Sequence, residues 1–139
     1  MSYAGRASGL RAINAYANVG LETQVLSASP ERLITLLFAG ARAAIGQARL
    51  HMQAGRIAER GSAISKAIRI VDEGLRAGLD MKAGGDLAEN LDQLYDYVVR
   101  TLLSANLTSD SAKLDEADAL LENIGEAWKT SVDRGASLA

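Results

Sequence analysis

Four successive stretches of the chain carry apolar residues three or four positions apart, which is the spacing of one face of an amphipathic helix. The four stripes are Leu33, Leu37, Gly40, Ala44 and Ala48; Ile57, Ile64, Ile68, Val71, Leu75 and Leu79; Leu87, Leu91, Leu94, Val98, Leu102 and Ala105; and Leu114, Ala117, Leu121, Ile124, Trp128 and Val132. No stretch of useful length alternates apolar and polar residues as a half-buried strand does. The pattern therefore predicts an all-α fold.

Turn-forming residues separate the four stripes. Ser29 followed by Pro30 is typical of a helix start, because serine caps free N–H groups and proline fits the first turn. The stripes end at Gly55, at Gly84–Gly85, at the polar stretch Asn106–Asp110 and at Arg134–Ser137. Asp86 places a carboxylate in the first turn of the third helix, where the helix dipole favours it. Helices of about 20 to 25 residues joined by short turns predict an antiparallel up-down four-helix bundle.

The beginning of the chain differs from the rest, because glycines interrupt it and its apolar residues are too scattered for a long helix. We therefore divide the chain into a flexible N-terminal arm (1–28), a helical bundle domain (29–134) and a disordered tail (135–139). A domain of this size buries roughly two-thirds of the surface of its unfolded chain. It needs no disulfide or metal ion to be stable.

Composition and charge narrow the class of function. The 139 residues include 15 basic and 17 acidic ones, a net charge of -2, whereas binding to nucleic-acid phosphates requires a surplus of cations. Charged residues interrupt every candidate for the roughly 20 consecutive apolar residues of a membrane-spanning helix. The chain has no cysteine, which excludes thiol catalysis and disulfides. With no recognisable secretion signal, we expect a cytoplasmic protein that neither inserts into membranes nor binds nucleic acid.

His51 is the only histidine, so a site that needs two imidazoles is excluded. One catalytic alternative remains, because histidine phosphotransfer domains are also four-helix bundles with one reactive histidine. Those sites usually carry a lysine and a glycine soon after the histidine, whereas here Met52, Gln53, Ala54 and Gly55 follow, with alanine in the lysine's place and an apparent helix end one turn after the histidine. We favour a surface histidine near a helix C-terminus, where a cation is stabilised. We expect no catalytic residue, no metal site and no cofactor.

Two further features have simple structural interpretations. Gly84–Gly85 follows no strand and belongs to no phosphate-binding motif, so a turn is the better interpretation. The acidic cluster of the fourth helix lacks the spacing and the glycine of a calcium loop. Its members, interpreted as a solvated helix face, are Asp115, Glu116, Asp118 and Glu122.

Small residues are concentrated in 39–46, where each glycine costs a helix roughly 1 kcal/mol relative to alanine. Either a neighbouring helix of the bundle approaches closely there, or the small residues form a shallow groove for a partner's helix. Tyr95 and Tyr97 lie two residues apart on a helix and cannot both face the core, so we expect Tyr97 to project outward. Trp128 falls on the fourth stripe, which favours a core position.

The order of several short motifs resembles that of the flagellin export chaperones, the FliS family. The motifs are Ser29-Pro30-Glu31-Arg32-Leu33-Ile34-Thr35-Leu36-Leu37, Gly40-Ala41, Lys66-Ala67 with Ile70, Leu79-Asp80, Gly84-Gly85, Asn90-Leu91 with Leu94-Tyr95 and Tyr97, Ala105-Asn106 and Glu126-Ala127-Trp128. The resemblance spans about residues 13–130. One departure is that Phe38 and Ala39 stand where the family commonly has tyrosine and aspartate, so no role of those polar groups is carried over.

The resemblance implies a cytoplasmic helical bundle that binds the C-terminal segment of flagellin, prevents premature polymerisation and delivers flagellin to the type III export apparatus. It implies flagellin, an export gate protein and further regulators of flagellar assembly as partners. The residues expected to contact the partner are Ile13, Tyr16, Leu33, Ile34, Leu37, Phe38, Gly40, Ala41, Ala44, Leu91, Tyr95 and Tyr97. A self-assembling structural bundle is the remaining alternative.

Overall fold

The computed structural model describes residues 29–138, with side chains described through Ser131. Within that range the chain forms four helices and no strand. The helices are α1 (Pro30–Gln53), α2 (Ile57–Arg69), α3 (Gly85–Thr108) and α4 (Ser111–Leu138), and α2 continues directly into a π-helical segment (Ile70–Arg76). The predicted all-α, four-helix architecture is confirmed, while the predicted arm, 1–28, lies outside the described residues.

Local signals start and end α1 as predicted. The Ser29 hydroxyl oxygen accepts a hydrogen bond from the backbone N–H of Arg32 at 3.2 Å, and Pro30 occupies the first turn. After Ala54 the chain passes through Gly55, whose φ of +72° is rarely adopted by residues with a side chain. The sequence therefore determines both ends of this helix locally.

The π-helical segment is a feature that the periodicity did not predict. Its wider turn is seen in the hydrogen bond from the N–H of Ala77 to the carbonyl of Asp72, five residues earlier, at 3.2 Å. The segment packs closely on α1 because Gly74 has no side chain: a Cβ there would lie 3.0 Å from Cδ2 of Leu37. Tight packing between α1 and this segment depends on that glycine.

The predicted turn before α3 is confirmed. The Asp80 carboxylate accepts hydrogen bonds from the backbone N–H groups of Lys82 at 3.2 Å and Ala83 at 3.0 Å. Gly85 has a φ of +52°, and Asp86 lies in the first helical turn. The paired glycines thus reverse the chain direction, and the carboxylate of Asp86 faces the positive end of the helix dipole.

Polar contacts between helices show that neighbours run antiparallel. They join Arg42 to Asp118 and Arg49 to Asp115 (α1 and α4), Arg60 to Asn106 and Arg76 to Asp92 (α2 with its π continuation, and α3), and Tyr97 to Glu116 and Lys113 to Ser104 (α3 and α4). In each pair of helices the residue numbers rise along one member while they fall along the other. The arrangement is the predicted up-down bundle, closed by contact between α1 and α4.

The stripes predict the core only partly. On α3 the residues buried as predicted are Val98, Leu102 and Ala105. In the first half of that helix, however, Ala88 and Tyr95 lie in the core, whereas Leu87 and Leu94 are 46% and 39% exposed. Ile57, in the first turn of α2, is 68% exposed and also lies outside the core. The predicted direction of the apolar face was therefore wrong at these positions. When the apolar face of a helix is wide, the same spacing of apolar residues is compatible with more than one rotation of the helix about its axis.

The last helix is longer than predicted. α4 continues through Leu138, beyond the end expected at Arg134, so 135–138 are helical where we predicted the start of a disordered tail. A glycine such as Gly135 weakens a helix by about 1 kcal/mol but does not by itself end it. The division of the chain into arm, bundle domain and tail stays a prediction.

Helix α1 is the most apolar part of the described chain. Among residues 29–138 it alone is long and apolar enough to cross a membrane by length and composition, and 44% of its most apolar 18-residue window is buried inside the bundle. Buried core helices of soluble proteins meet the same criteria. The apolar character of α1 is explained by its central place in the core, to which it contributes Leu33, Ile34, Leu37, Phe38, Ala41, Ala44, Ile45 and Ala48.

Candidate functional site

An apolar groove of about 400 Å³ runs between α3 and α4. It is partly open to solvent, and Phe38 of α1 contributes to its lining. Its lining residues are Phe38 from α1, Leu87, Leu91, Leu94 and Tyr95 from α3, and Leu120, Asn123, Ile124, Ala127, Trp128 and Ser131 from α4. A groove of this volume falls within the usual range of ligand sites, and its shape suits a segment lying along it.

Two rows of apolar side chains form the walls. On α3, Leu87, Leu91 and Leu94 are spaced by four and three residues and therefore lie on one face of the helix. On α4 the same spacing recurs in the residues Leu120, Ile124 and Ala127. The groove thus has one apolar ridge on each side. Leu87 and Leu94 are exposed because they line the open groove.

Aromatic rings form the floor. The ring centroids of Phe38 and Tyr95 lie 6.4 Å apart with an interplanar angle of 48°, a tilted arrangement that aromatic pairs favour. Trp128 is only 7% exposed, so the prediction of a core position is confirmed, yet it also lines the groove. Gly125 faces the Phe38 ring, since a Cβ there would lie 3.5 Å from ring atom Cδ1. Close packing holds these rings in place.

The polar groups of the lining side chains are those of Asn123 and Ser131, the hydroxyl of Tyr95 and the indole N–H of Trp128. None of the described lining residues carries a charge at neutral pH. In the part of the chain that the structure describes, no three His, Asp or Glu side chains converge on a point where a metal ion could bind. The groove is therefore suited to recognition through apolar burial rather than to chemistry.

The acidic cluster of α4 is not merely a solvated face. Arg42 of α1 donates hydrogen bonds to Asp118 at 2.9 Å and to Glu122 at 3.1 Å. The hydrogen bond to Asp118 raises the pKa of the Arg42 guanidinium above its ordinary value. Arg49, about two turns further along α1, pairs with Asp115 at 2.8 Å. These acids therefore connect α4 to α1, a role that only the packing of the two helices reveals.

Tyr97 projects outward as predicted and is 41% exposed. Its hydroxyl donates a short hydrogen bond to the carboxylate of Glu116 on α4. That hydrogen bond raises the pKa of the Tyr97 hydroxyl, because the neighbouring negative charge disfavours a phenolate. The side chain joins α3 to α4 and is not part of the groove lining.

The structure divides the residues predicted to contact a partner into four groups. Phe38, Leu91 and Tyr95 line the groove. The predicted residues of α1 that are buried in the core, and so present no surface to a partner in this structure, are Leu33, Ile34, Leu37, Ala41 and Ala44. Gly40 is half-buried in α1, and Tyr97 lies outside the lining. Ile13 and Tyr16 lie outside the described residues. Contact of any of them with a partner stays a prediction.

Within the small-residue stretch 39–46, Ala41 and Ala44 are buried, whereas a Cβ at Gly46 would meet nothing within 4 Å. These alanines pack inside the bundle, so their size serves the close approach of neighbouring helices. The apolar groove described above lies elsewhere, between α3 and α4, and a role of the small-residue stretch in partner binding stays a prediction.

Sequence reasoning missed most of the groove residues. Those not predicted as contacts are Leu87, Leu94, Leu120, Asn123, Ile124, Ala127, Trp128 and Ser131. One signal could have indicated them. On α3 a row of leucines lies next to a second row of apolar residues, Ala88, Tyr95, Leu102 and Ala105. The apolar face of this helix is therefore wider than contact with the core alone requires.

Comparison with known proteins identifies the family. The model of the family described as "Flagellar protein FliS" matches residues 12–135, which include every described residue of the groove. The chain belongs to the FliS family. The expectation drawn from the motif order, that this is a relative of the flagellar secretion chaperones, is therefore confirmed.

Curated FliS relatives share close similarity over most of their length. The chain is 52% identical over 117 residues to the "Flagellar secretion chaperone FliS" of Salmonella typhimurium, covering 84% of this chain and 87% of the relative. It is 45% identical over 118 residues to the protein of the same name from Escherichia coli, with 85% and 87% coverage. It is 44% identical over 119 residues to "Flagellar secretion chaperone FliSB" of Pseudomonas aeruginosa, with 86% and 94% coverage. FliS membership thus establishes the chain as a member of a chaperone family of the flagellar secretion system.

Proposed function

We propose that the chain binds the C-terminal helical segment of flagellin in the groove between α3 and α4. It thereby prevents premature polymerisation in the cytoplasm, and it delivers flagellin to the flagellar type III export apparatus through contact with an export gate protein. The observation that carries the proposal is the apolar groove of about 400 Å³ in a member of the flagellar secretion chaperone family. Further regulators of flagellar assembly are additional proposed partners.

The geometry of the groove suits an amphipathic helix. A helix that places apolar side chains at positions i, i+3 or i+4 and i+7 matches the two ridges, which have the same spacing on α3 and α4. Because the lining is uncharged, no charged side chain of the groove would lie against the apolar face of such a helix. Burial of apolar surface then supplies most of the binding free energy.

Covering the client's apolar face would also explain how polymerisation is prevented. A segment that folds only on binding has no partner for its apolar residues before assembly, and exposed faces of this kind associate with one another. While the segment lies in the groove, those residues are unavailable to a second flagellin. The binding is non-covalent, and it requires neither nucleotide nor metal.

The family membership favours the chaperone over histidine phosphotransfer. His51 lies half-buried in the last turn of α1 and is not part of the groove lining. The absence of enzymatic activity stays a prediction. His51→Ala should therefore leave flagellin binding unchanged, whereas acid-labile phosphate on His51 after incubation with a phosphorylated response regulator would support the alternative.

The single tryptophan provides a direct test, because Trp128 lines the groove and no other residue contributes to tryptophan emission. A tryptophan-free peptide of the flagellin C-terminal segment is titrated into the chain while the emission of Trp128 is followed. We expect a saturable change and co-elution of the two molecules in size-exclusion chromatography. A scrambled peptide of the same composition serves as the control and should produce neither effect.

Two outcomes would count against the proposal. Unchanged Trp128 emission together with separate elution would show that the groove does not receive the flagellin segment. A change in emission that depends on the concentration of the chain alone would indicate that a second copy occupies the groove, as in a self-assembling bundle. Light scattering on the free chain over a range of concentrations distinguishes this case.

A further inference from the structure

The half of α3 that carries the groove leucines has few buried contacts. Between its first residue, Gly85, and Leu94, only Ala88 is buried, whereas the second half of the helix buries the residues Tyr95, Val98, Thr101, Leu102 and Ala105. Of the three leucines in the first half, Leu91 is half-buried and packs against the core, whereas Leu87 and Leu94 line the groove and remain exposed. Apolar burial therefore holds this half of α3 less firmly than the second half.

Arg76, the last residue of the π-helical segment, contacts this half of α3 through its guanidinium group. Its Nε donates a hydrogen bond to Oδ1 of Asp92 at 2.6 Å, and its Nη2 lies 3.4 Å from Oδ2 of the same carboxylate. Its Nη1 lies 3.3 Å from Oδ1 of Asp96 and 3.3 Å from Oδ1 of Asp72. Arg76 thus forms a two-point contact with Asp92 and also contacts the carboxylates of Asp96 and Asp72.

The contact lies on the side of α3 that faces away from the groove residue Leu94, and Asp92 is about 100° around the helix from Leu91. Asp92 and Asp96 are two residues before and two residues after Leu94, which places both about 200° around the helix from that leucine. The π-helical segment occupies that side of α3, while α4 and the groove occupy the other. Because the Arg76 contact holds α3 against the π-helical segment, it also limits the distance between α3 and α4.

We propose that Arg76 is a positioning residue of the client groove, which holds the N-terminal half of α3 from behind and so sets the width of the groove. The proposal rests on the proposed function, since it assumes that the groove receives the client. Arg76 is 31% exposed and Asp92 32%, so the pair is partly shielded from water and the contact is less screened than a fully exposed ion pair. The hydrogen bond to Asp92 raises the pKa of the Arg76 guanidinium above its ordinary value, so the group is charged at neutral pH.

The first test measures groove width without any client. The chain has no native cysteine, so spin labels attached at Glu89→Cys on α3 and Thr130→Cys on α4 report one distance. In an Arg76→Met background, we expect the distribution of that distance to broaden. Arg100→Met is the matched control, because Arg100 pairs with Asp96 at 3.0 Å but within α3 itself, and it should leave the distribution unchanged. A distance distribution that is the same in the parent protein and in the Arg76→Met variant would overturn the proposal.

The second test measures client affinity through Trp128 emission. We expect Arg76→Met to weaken binding of the flagellin C-terminal peptide about threefold to tenfold, while Arg100→Met changes it less than about twofold. High salt should reduce the difference between the parent protein and Arg76→Met, because salt screens the contact that the variant lacks. A purely structural role would lower the melting temperature without changing affinity or its salt dependence at temperatures where both proteins are folded.

Further variants keep the test decisive. If Arg76→Met does not fold, Asp92→Asn keeps the shape of the partner, removes its charge and should give the same broadening and weakening. Exchange of the two charges in the double variant Arg76→Asp with Asp92→Arg should restore affinity at least in part. Equal affinity of the parent protein and the single variants would overturn the role of Arg76. Failure of the parent protein itself to bind the peptide would instead overturn the proposed function, and the label distances would still decide whether Arg76 sets the groove width.

Discussion

Leu87 offers the sharpest test of the groove, because its exposed surface lies where the client is proposed to bind. Leu87 is 46% exposed and forms part of the α3 wall of the groove. Replacing it with alanine removes a contact that forms only in the complex. The variant Leu87→Ala should therefore affect client binding.

The magnitude follows from the exposed fraction. Burying a whole leucine side chain contributes about 1.5–3 kcal/mol. A client that covers the remaining 46% of Leu87 would gain about 0.7–1.4 kcal/mol from it. Leu87→Ala should thus raise the Kd for the flagellin C-terminal peptide about threefold to tenfold.

The assay is titration of the peptide into the folded protein with Trp128 emission as the signal. Leu107→Ala is the matched control, because Leu107 lies on the same helix, is 85% exposed and is not part of the groove. We expect that control to leave the Kd within about a factor of 1.5 of the parent value. Equal effects of the two variants, or no effect of Leu87→Ala, would refute the placement of the client in this groove.

Three further predictions concern packing and ionisation. Gly74→Ala should lower the free energy of unfolding by about 1–2 kcal/mol in urea denaturation, because its Cβ would lie 3.0 Å from Cδ2 of the buried Leu37 and overpacking outweighs the gain in helix propensity. Gly46→Ala, whose Cβ would meet nothing within 4 Å, should instead raise it by up to about 1 kcal/mol. In an absorbance titration at high pH, the Tyr97 hydroxyl should ionise above its ordinary pKa. Its hydrogen bond to Glu116 therefore stabilises the fold at neutral pH and is lost only as pH rises through that raised pKa. Glu116→Gln should lower the pKa of Tyr97, and an unchanged titration midpoint would contradict the role of Glu116.

Signals close together in the sequence determine the helices and their ends. Ser29 with Pro30 begins α1, and Gly55 follows its last turn at a positive φ. Gly84–Gly85 with Asp86 marks the reversal before α3. These features could be predicted because capping and chain reversal depend on a few neighbouring residues and little else. The family could be predicted as well, because the short motifs that indicate it follow one another in a fixed order along the chain.

The rotation of each helix about its axis could not be predicted in the same way. On α3, Leu94 and Tyr95 are neighbours in the sequence and both line the groove, yet Tyr95 is fully buried and Leu94 is 39% exposed. Periodicity defines the angles between side chains within one helix, but it does not define which direction faces the neighbouring helices. An apolar face that serves both the core and a groove is wide enough to fit several rotations.

Contacts between helices distant in the sequence were decided by the tertiary structure alone. The pairing of Arg42 with Asp118 and of Arg76 with Asp92 turns charged residues of separate helices into connections between those helices. The close fit of Gly74 in the π-helical segment against Leu37 of another helix likewise appears only in the packed structure. The sequence by itself determined that the chain forms four amphipathic helices and belongs to one family. The tertiary structure decided which apolar residues remain exposed to form a groove, because exposure depends on where the other helices lie, and the spacing within a single helix carries no information about that.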